Sequence, residues 1–163
     1  FEKADILFRT IRLKENGVPK ESLSFPAFRF QELVKEEWES SEFKSQLERK
    51  CFLVVYQLRG EELILKEVRF WNMPYKDIME AKKVWDRTRV VLGTGNIVRE
   101  IRRKRRETNF PGSKENPVCH VRPHGRDRDD TYPLPTPDAL TGLRSYTKQS
   151  FWINASYMKD VLV

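Results

Sequence analysis

Apolar residues along this chain follow two spacings: the alternation typical of strands and the three-to-four-residue repeat typical of helices. Residues 5–13 are rich in apolar and β-branched side chains with partial alternation, which predicts a strand, and 14–17 ends it with a turn signal. Residues 22–30 carry three phenylalanines around Pro26, so we expect an extended, loop-like segment there.

The middle of the chain predicts a helix followed by a hairpin. The segment 40–50 begins with two serines, which are good N-caps, and indicates a helix. The continuous apolar run 51–56 is typical of a strand buried on both faces. A turn at 59–61 leads to a returning strand over 63–71.

The clearest helix is predicted over 75–92, where apolar residues recur on one face, and the glycines in 93–95 end it. We expect a second helix over 97–106, a mostly basic segment. A loop over 111–117 and a short strand over 118–122 follow.

The C-terminal part is predicted to contain a long connection over 126–137, which is charged and then Pro-rich, and a strand and short helix within 148–163. Because strands alternate with helices and no linker divides the chain, we expect one domain over 1–163. Its predicted class is α/β, bordering on α+β, with a mixed sheet flanked by helices. The chain does not begin with Met, so we expect a fragment of a longer chain.

Composition is that of a globular, basic protein. Hydrophobic residues make up 39% of the 163 residues, and no apolar run is long enough to cross a membrane. Cys51 and Cys119 do not suggest a disulfide framework and suit a reducing cytosol. The net charge of +7, with six basic residues among the eight of 99–106, favours a nucleic acid as the partner.

Several kinds of catalytic site lack support. Cys119, His120 and His124 cluster, but their spacing does not suit zinc. No serine-nucleophile elbow, P-loop or dinucleotide-binding glycine motif is present. A magnesium-dependent nuclease commonly places Glu-x-Lys on one strand, yet the first strand has Leu7 and Arg9, neither of which can bind magnesium or activate water.

The dipeptide Arg122-Pro123 at the end of a predicted strand is a candidate contact. The proline ring favours an extended conformation for the arginine before it. An extended arginine at a strand end can reach into a groove or clamp a planar anion, although an ordinary surface turn has the same dipeptide.

Five motifs, in order along nearly the whole chain, resemble the MutH-type DNA endonucleases, which include a mismatch-repair nicking enzyme and a two-domain type II restriction enzyme that cuts at GATC. The motifs are Leu7-Phe8-Arg9-Thr10-Ile11, where the family has Glu-Leu-Lys-Thr-Ile, Trp38-Glu39-Ser40-Ser41, Trp71-Asn72-Met73-Pro74 with the helix to Gly93, Val121-Arg122-Pro123, and Ser150-Phe151-Trp152-Ile153-Asn154.

The resemblance implies a restriction-endonuclease-like fold that closes on duplex DNA. It also implies lost catalysis, because Leu7 and Arg9 occupy the positions of the family's catalytic Glu and Lys. We therefore expect no catalytic residue, no metal and no cofactor in this domain, with Mg²⁺ serving an active domain of the parent enzyme. The implied DNA contacts are Arg122, Pro123, His124, Arg126, Lys148, Trp152, Asn154, Arg102, Arg103 and Arg105, with a structural role as the alternative for Trp152 and for Asn154.

The function that the resemblance implies is that of an allosteric effector domain. It would bind a second GATC site and license cutting by an N-terminal catalytic domain of the same chain, in a bacterial cytoplasm, and a dimer on DNA is compatible with this. Two alternatives stay open. One is an active magnesium-dependent endonuclease that recruits other acids, such as Glu2, Asp5, Glu21 or Glu39. The other is a binder of nucleic acid without sequence preference.

Overall fold

Ten strands and four α-helices form a mixed α/β fold in the computed structural model, which describes residues 2–163. The strands are β1 Leu7–Leu13, β2 Leu23–Ser24, β3 Cys51–Arg59, β4 Glu62–Trp71, β5 Val98–Arg102, β6 Arg105–Thr108, β7 Cys119–Pro123, β8 Thr131–Pro133, β9 Ser145–Thr147 and β10 Gln149–Ile153. The helices are α1 Phe30–Leu33, α2 Glu42–Glu48, α3 Tyr75–Thr94 and α4 Ala155–Val161, with 3-10 turns at Glu2–Ala4 and Trp38–Ser40.

The first sheet has the order β1-β3-β4. Strands β1 and β3 are parallel, so the chain crosses over between them through α1 and α2, whereas β3 and β4 form an antiparallel hairpin. Gly60 closes that hairpin with a positive φ of 62°. Residues Ile11, Leu53 and Val55 of this sheet are buried and face the helices.

The second sheet has the order β2-β10-β7 and is antiparallel. Phe151 pairs with Val121, and both are buried. Because side chains alternate between the two faces of a strand, the next pair, Ser150 with Arg122, lies on the opposite face. This sheet thus joins the core to the Arg122 strand end.

Aromatic rings connect the second sheet to the helices. The ring of Phe151 stacks on that of Phe43 in α2, with 4.0 Å between centroids, and Phe28 lies 4.7 Å away. Trp85 of α3 contacts Trp38 edge to face at 5.2 Å. These packed rings hold the strand end that carries Arg122 on a rigid base.

Helix α3 begins and ends where the sequence predicts, within two residues. Its buried stripe includes Ile78, Ala81 and Trp85. Gly95 ends it in the left-handed conformation, with a φ of 69°. A side chain there would meet the Pro137 carbonyl oxygen at 2.5 Å, so the position admits only glycine without rearrangement.

The helix predicted over 97–106 is wrong, because the segment forms the β5–β6 hairpin, hereafter the basic hairpin. A helix would stack its six basic side chains three and four residues apart, where like charges repel. In the hairpin, Ile97 and Val98 are buried at the base and the cations spread into solvent. The turn is Arg103-Lys104, and Arg103 adopts a positive φ of 56°.

Other boundaries shift modestly. The predicted strands over 5–13, 63–71 and 118–122 and the helix over 40–50 are present with slightly different ends. The long connection over 126–137 contains the short strand β8, which pairs with β9. None of the described helices has the length and apolar character needed to cross a membrane.

Candidate nucleic-acid interface

An open cleft of about 610 Å³ lies between the basic hairpin, α3 and the end of β7. Five arginines line it, with two glutamates and apolar residues between them. The arginines are Arg87, Arg99, Arg105, Arg106 and Arg122, and Pro123 and Tyr146 also line it. The fold therefore brings Arg122-Pro123 and part of the 99–106 run, which are separated in sequence, to one concave surface, which we call the arginine cleft.

The excess positive charge of the arginine cleft is available to a ligand. Arg87 is the one cleft arginine, within residues 2–163, that forms a salt bridge: its Nη1 lies 2.7 Å from Glu115 Oε1. The Gly112 N–H and the Arg87 guanidinium hold the pKa of Glu115 below its ordinary value, so this carboxylate is charged at neutral pH. Unpaired arginines in a concave surface favour a polyanion.

Arg122 stacks on the indole ring of Trp152. Its Cζ lies 3.8 Å from the ring centroid, a close cation–π contact. The two residues lie diagonally on neighbouring strands β7 and β10, on the face turned away from the core. Arg122 itself is exposed, while Trp152 is half-buried. Trp152 thus holds the guanidinium at the rim of the arginine cleft.

His124 extends the same cluster. Its ring lies 5.0 Å from that of Trp152. Its Nδ1 lies 3.1 Å from the carbonyl oxygen of Phe25 and 2.9 Å from Ser150 Oγ. Since a carbonyl oxygen can only accept, Nδ1 carries the hydrogen and donates it. The ring is fixed and leaves Nε2 as its other polar atom.

Asn154, for which a DNA contact and a structural role were both expected, has a buried side chain that is 2% exposed, which favours the structural role. Its Oδ1 accepts a 2.6 Å hydrogen bond from His120 Nδ1, and its Nδ2 donates to the Asn116 carbonyl oxygen at 2.7 Å. Asn116 Oδ1 in turn accepts from the N–H groups of Val118 and Cys119. This buried amide network fixes the start of β7, behind the arginine cleft.

Lys148 and Arg126 lie beside Asp130. Lys148 Nζ is 2.8 Å from Asp130 Oδ1 and also lies over the Tyr132 ring. The Lys148 ammonium and the Arg126 N–H lower the pKa of Asp130 to about 2. Lys148 therefore forms an internal ion pair and is less available to contact a phosphate. The Arg126 side chain is 88% exposed and is accessible to a ligand.

The three predicted hairpin residues differ in position. Arg105 lines the arginine cleft, whereas Arg102 and Arg103 lie at the tip of the basic hairpin, outside it. Arg102 Nε donates to Glu100 Oε2 at 3.0 Å. At the base, Asp138 Oδ1 accepts from the N–H groups of Ile97 and Val98. Burial alone would raise the pKa of Asp138, but hydrogen bonds from Thr141 and these backbone groups hold it below its ordinary value.

The positions of the family's catalytic pair lie in packed protein. Leu7 pairs with Cys51 and Arg9 with Leu53 on the neighbouring parallel strand. The space around them is about 10 Å³, and no carboxylate lines it within the described residues. The Arg9 guanidinium lies over the Phe25 ring at 5.3 Å. A hard cation such as Mg²⁺ needs oxygen ligands, so these residues do not fit it.

The alternative acids do not converge on another site. Asp5 pairs with Arg49, Glu21 with Arg12, and Glu39 with Lys44. The side chain of Glu2 lies outside the residues whose side chains the structure describes. Within the described part of the chain, no group of three His, Cys, Asp or Glu is arranged to hold a metal ion. Cys119 and His120 point to opposite faces of β7.

Sequence reasoning missed some residues of the site. Arg87 is an exposed residue of α3, and nothing in its local sequence marks it. Tyr146, under Arg106 at 5.6 Å, lies in the unpredicted strand β9. Asn116 and Asp138 are of residue types that favour turns, which is a signal the sequence contains. Their burial depends on tertiary packing, which no local pattern predicts.

No family model matches the chain. The chain is 35% identical, over an alignment 187 positions long, to the type II restriction enzyme Sau3AI of Staphylococcus aureus. The chain is therefore similar to one part of Sau3AI. The alignment covers 98% of the chain but 38% of Sau3AI, so the chain spans well under half the length of this curated relative. The relationship agrees with the resemblance to MutH-type endonucleases that the five motifs carry.

Proposed function

We propose that this chain binds duplex DNA containing GATC, does not cut it, and acts as an effector module of a type II restriction endonuclease. The observation that carries the proposal is the arginine cleft, in which Arg122 is held by Trp152 beside the basic hairpin. The kinship with Sau3AI, a restriction enzyme by name, supports DNA as the ligand.

In this proposal DNA binding uses two kinds of contact, one to base edges and one to phosphates. In this proposal Arg122, stacked on Trp152, reads a base edge, since a planar guanidinium can donate two hydrogen bonds to a guanine in the major groove. Arg99, Arg105 and Arg106 contact phosphates, which position the duplex and add salt-dependent affinity without specifying sequence. His124 and Arg126 follow Pro123 in the chain and are exposed, and in this proposal they also contact phosphates.

The lack of cleavage follows from the packing around Leu7 and Arg9. A leucine cannot bind a metal ion, and an arginine cannot take up a proton from water. The proposed module therefore works without Mg²⁺, which an active catalytic module elsewhere in the enzyme would use.

The effector role further requires a longer polypeptide. The relative is more than twice as long as this chain, which leaves room for a separate N-terminal catalytic module. Binding of one GATC site by the arginine cleft would favour the cutting-competent state of that module at a second site. A dimer on DNA is compatible with this arrangement.

Fluorescence anisotropy with labelled duplexes tests the binding. At fixed moderate salt we expect a GATC duplex to bind at least about fivefold more tightly than a scrambled duplex of the same composition, because one bidentate base contact contributes about 1–3 kcal/mol. Equal affinities would support the alternative of a binder without sequence preference.

Incubation of a supercoiled plasmid rich in GATC with the chain and Mg²⁺ or Mn²⁺ tests the lack of cleavage. We expect no nicking above buffer alone. Nicking that disappears in Asp5→Asn or Glu39→Gln would instead establish the alternative of an active endonuclease with recruited acids.

A further inference from the structure

The first sheet has one face that the rest of the described chain leaves uncovered. Five large apolar side chains on it are each at least half exposed. They are Phe8 at 56%, Leu63 at 50%, Leu65 at 55%, Val68 at 51% and Phe70 at 56%. We call this set of five the outer face.

The register of the strands places these side chains together. Phe8 of β1 and Phe70 of β4 both pair with Phe52 of β3, and Val68 pairs with Val54. The Phe52 ring contacts those of Phe8 and Phe70, at centroid distances of 6.0 and 5.1 Å. The outer face is therefore continuous across all three strands.

The opposite face already carries the core. Ile11, Leu53 and Val55 point that way and are at most 2% exposed. Single exposed apolar residues are ordinary, but a continuous apolar patch on a charged protein marks a surface that another surface covers. The fold of this chain does not itself require these five residues to be apolar.

The size of the outer face indicates which kind of surface covers it. Three strands about 4.8 Å apart and seven to ten residues long present roughly 400 Å², so two such faces bury roughly 800 Å². Separate molecules that associate stably usually bury about 1,200–2,000 Å². Modules of one polypeptide are held by about 600–1,500 Å², because the connection keeps their effective concentration high.

We propose that the outer face packs against another module of the same polypeptide. The partial coverage of Sau3AI supplies room for such a module. The inference does not depend on DNA binding, since the outer face and the arginine cleft belong to different sheets and both can be occupied together. The expected partner surface is apolar and flat, matching a sheet or a helix pair.

Side-chain accessibility tests the proposal with a matched pair of valines. Val68→Cys lies on the outer face, and Val90→Cys is the control on α3, where the valine is 62% exposed. Maleimide labelling is measured in this chain and in the polypeptide encoded by the complete gene. The unsubstituted protein supplies the background from Cys51 and Cys119, and thermal unfolding checks that each variant folds.

In this chain alone, both cysteines should react at similar rates. In the complete polypeptide, labelling at position 68 should slow by about tenfold or more, whereas labelling at position 90 should not change. Equal rates at position 68 in the two proteins would overturn the proposal. Labelling at position 68 could instead be slow in this chain alone, with the sedimentation mass of the chain doubling as its concentration rises. That result would overturn the proposal and show that a second copy of the chain covers the outer face. The labelling rates do not depend on DNA binding. If the chain proves not to prefer GATC, the labelling experiment still tests the outer face.

Discussion

The Arg122 side chain combines a fixed direction with an accessible charge. The ring of Trp152 supports the plane of the Arg122 guanidinium. The next residue, Pro123, has a φ angle that its own ring fixes. A side chain held this way loses less rotamer entropy on binding than a free arginine would. In the proposed function this residue therefore discriminates between bases and does not merely attract phosphate.

Replacement of Arg122 should test that distinction. We expect Arg122→Ala to reduce the preference for GATC over scrambled duplex by about 1–3 kcal/mol, because alanine cannot donate the two hydrogen bonds to the base. Arg122→Lys should keep most of the affinity for scrambled duplex but not the preference, since a lysine lacks the planar pair of donors. Anisotropy titrations of both duplexes measure these values.

Arg59 is an exposed arginine at the end of β3, and Arg59→Ala is the control, which should change neither affinity. If Arg122→Ala still prefers the GATC duplex to the same extent, Arg122 is not part of the recognition site.

His120 gives the protein a predictable response to acid. Burial lowers the pKa of His120 below its ordinary value of 6.5, although the hydrogen bond to Asn154 opposes this shift. The unfolded chain therefore takes up a proton that the folded chain resists. The contribution of neutral His120 to stability is present above pH 6.5 and is lost as the pH falls towards the folded-state pKa.

Urea unfolding at pH 7.5 and pH 5.5 measures this effect. The free energy of unfolding should fall with the pH by at most about 1.4 kcal/mol per pH unit for one proton. His120→Gln should lower stability at pH 7.5 and reduce the dependence on pH. His124→Gln, at an exposed ring, is the control and should retain it. An unchanged dependence in His120→Gln would mean that other groups cause it.

At the scale of elements, the basic hairpin is the part that projects most charge. It carries six basic residues over 99–106, of which Arg102 alone forms a salt bridge within residues 2–163. Asp138 and the buried Ile97 and Val98 hold its base, while its tip lies in solvent. A rigid base with a charged tip suits an arm that follows the DNA backbone.

Neutralisation of the hairpin should weaken all duplexes alike. We expect the triple change of Arg102, Arg103 and Arg105 to Gln to lower affinity for GATC and scrambled duplex by similar factors. The slope of log affinity against log salt should fall by up to about three, or roughly 0.9 for each phosphate that is no longer neutralised. Titrations at four salt concentrations measure the slope.

A second triple variant, with Lys14, Lys20 and Lys66 changed to Gln, removes the same charge from exposed positions outside the arginine cleft. It should leave the slope nearly unchanged. Equal effects of the two variants would show that net charge alone drives binding.

The sequence predicts elements best where apolar periodicity is strong. Helix α3 and the β3–β4 hairpin are examples, because their apolar patterns fix both type and extent. The prediction of secondary structure fails over 97–106, because the basic residues there follow neither the helical nor the strand spacing. The hairpin that forms is held at its base by Asp138, some forty residues away. The Arg122–Trp152 contact depends on the register of β7 with β10, which no local pattern specifies.

At the scale of the whole molecule, one core supports both the fold and the arginine cleft. Phe151 lies in the strand next to Arg122, and its ring stacks on Phe43 from α2. The two sheets, the helices and the cleft therefore share contacts, and we expect them to unfold together.

The change Phe151→Ala tests this coupling. It should lower the free energy of unfolding by about 3–5 kcal/mol, the usual cost of removing a buried aromatic ring. Unfolding should remain a single transition when followed by circular dichroism and by tryptophan fluorescence. Phe70→Ala, at a half-exposed ring on the outer face, should cost far less. Separate transitions would mean that the two sheets are independent units.

Asp138 has a consequence for how relatives of this protein can diverge. Its two carboxylate oxygens accept hydrogen bonds from the base of the basic hairpin and from Thr141, so one residue ties two segments together. Gly95 lies against the neighbouring Pro137 carbonyl, where no side chain fits. Among homologues we therefore expect these two positions to stay invariant, while residues at the hairpin tip drift freely between arginine and lysine.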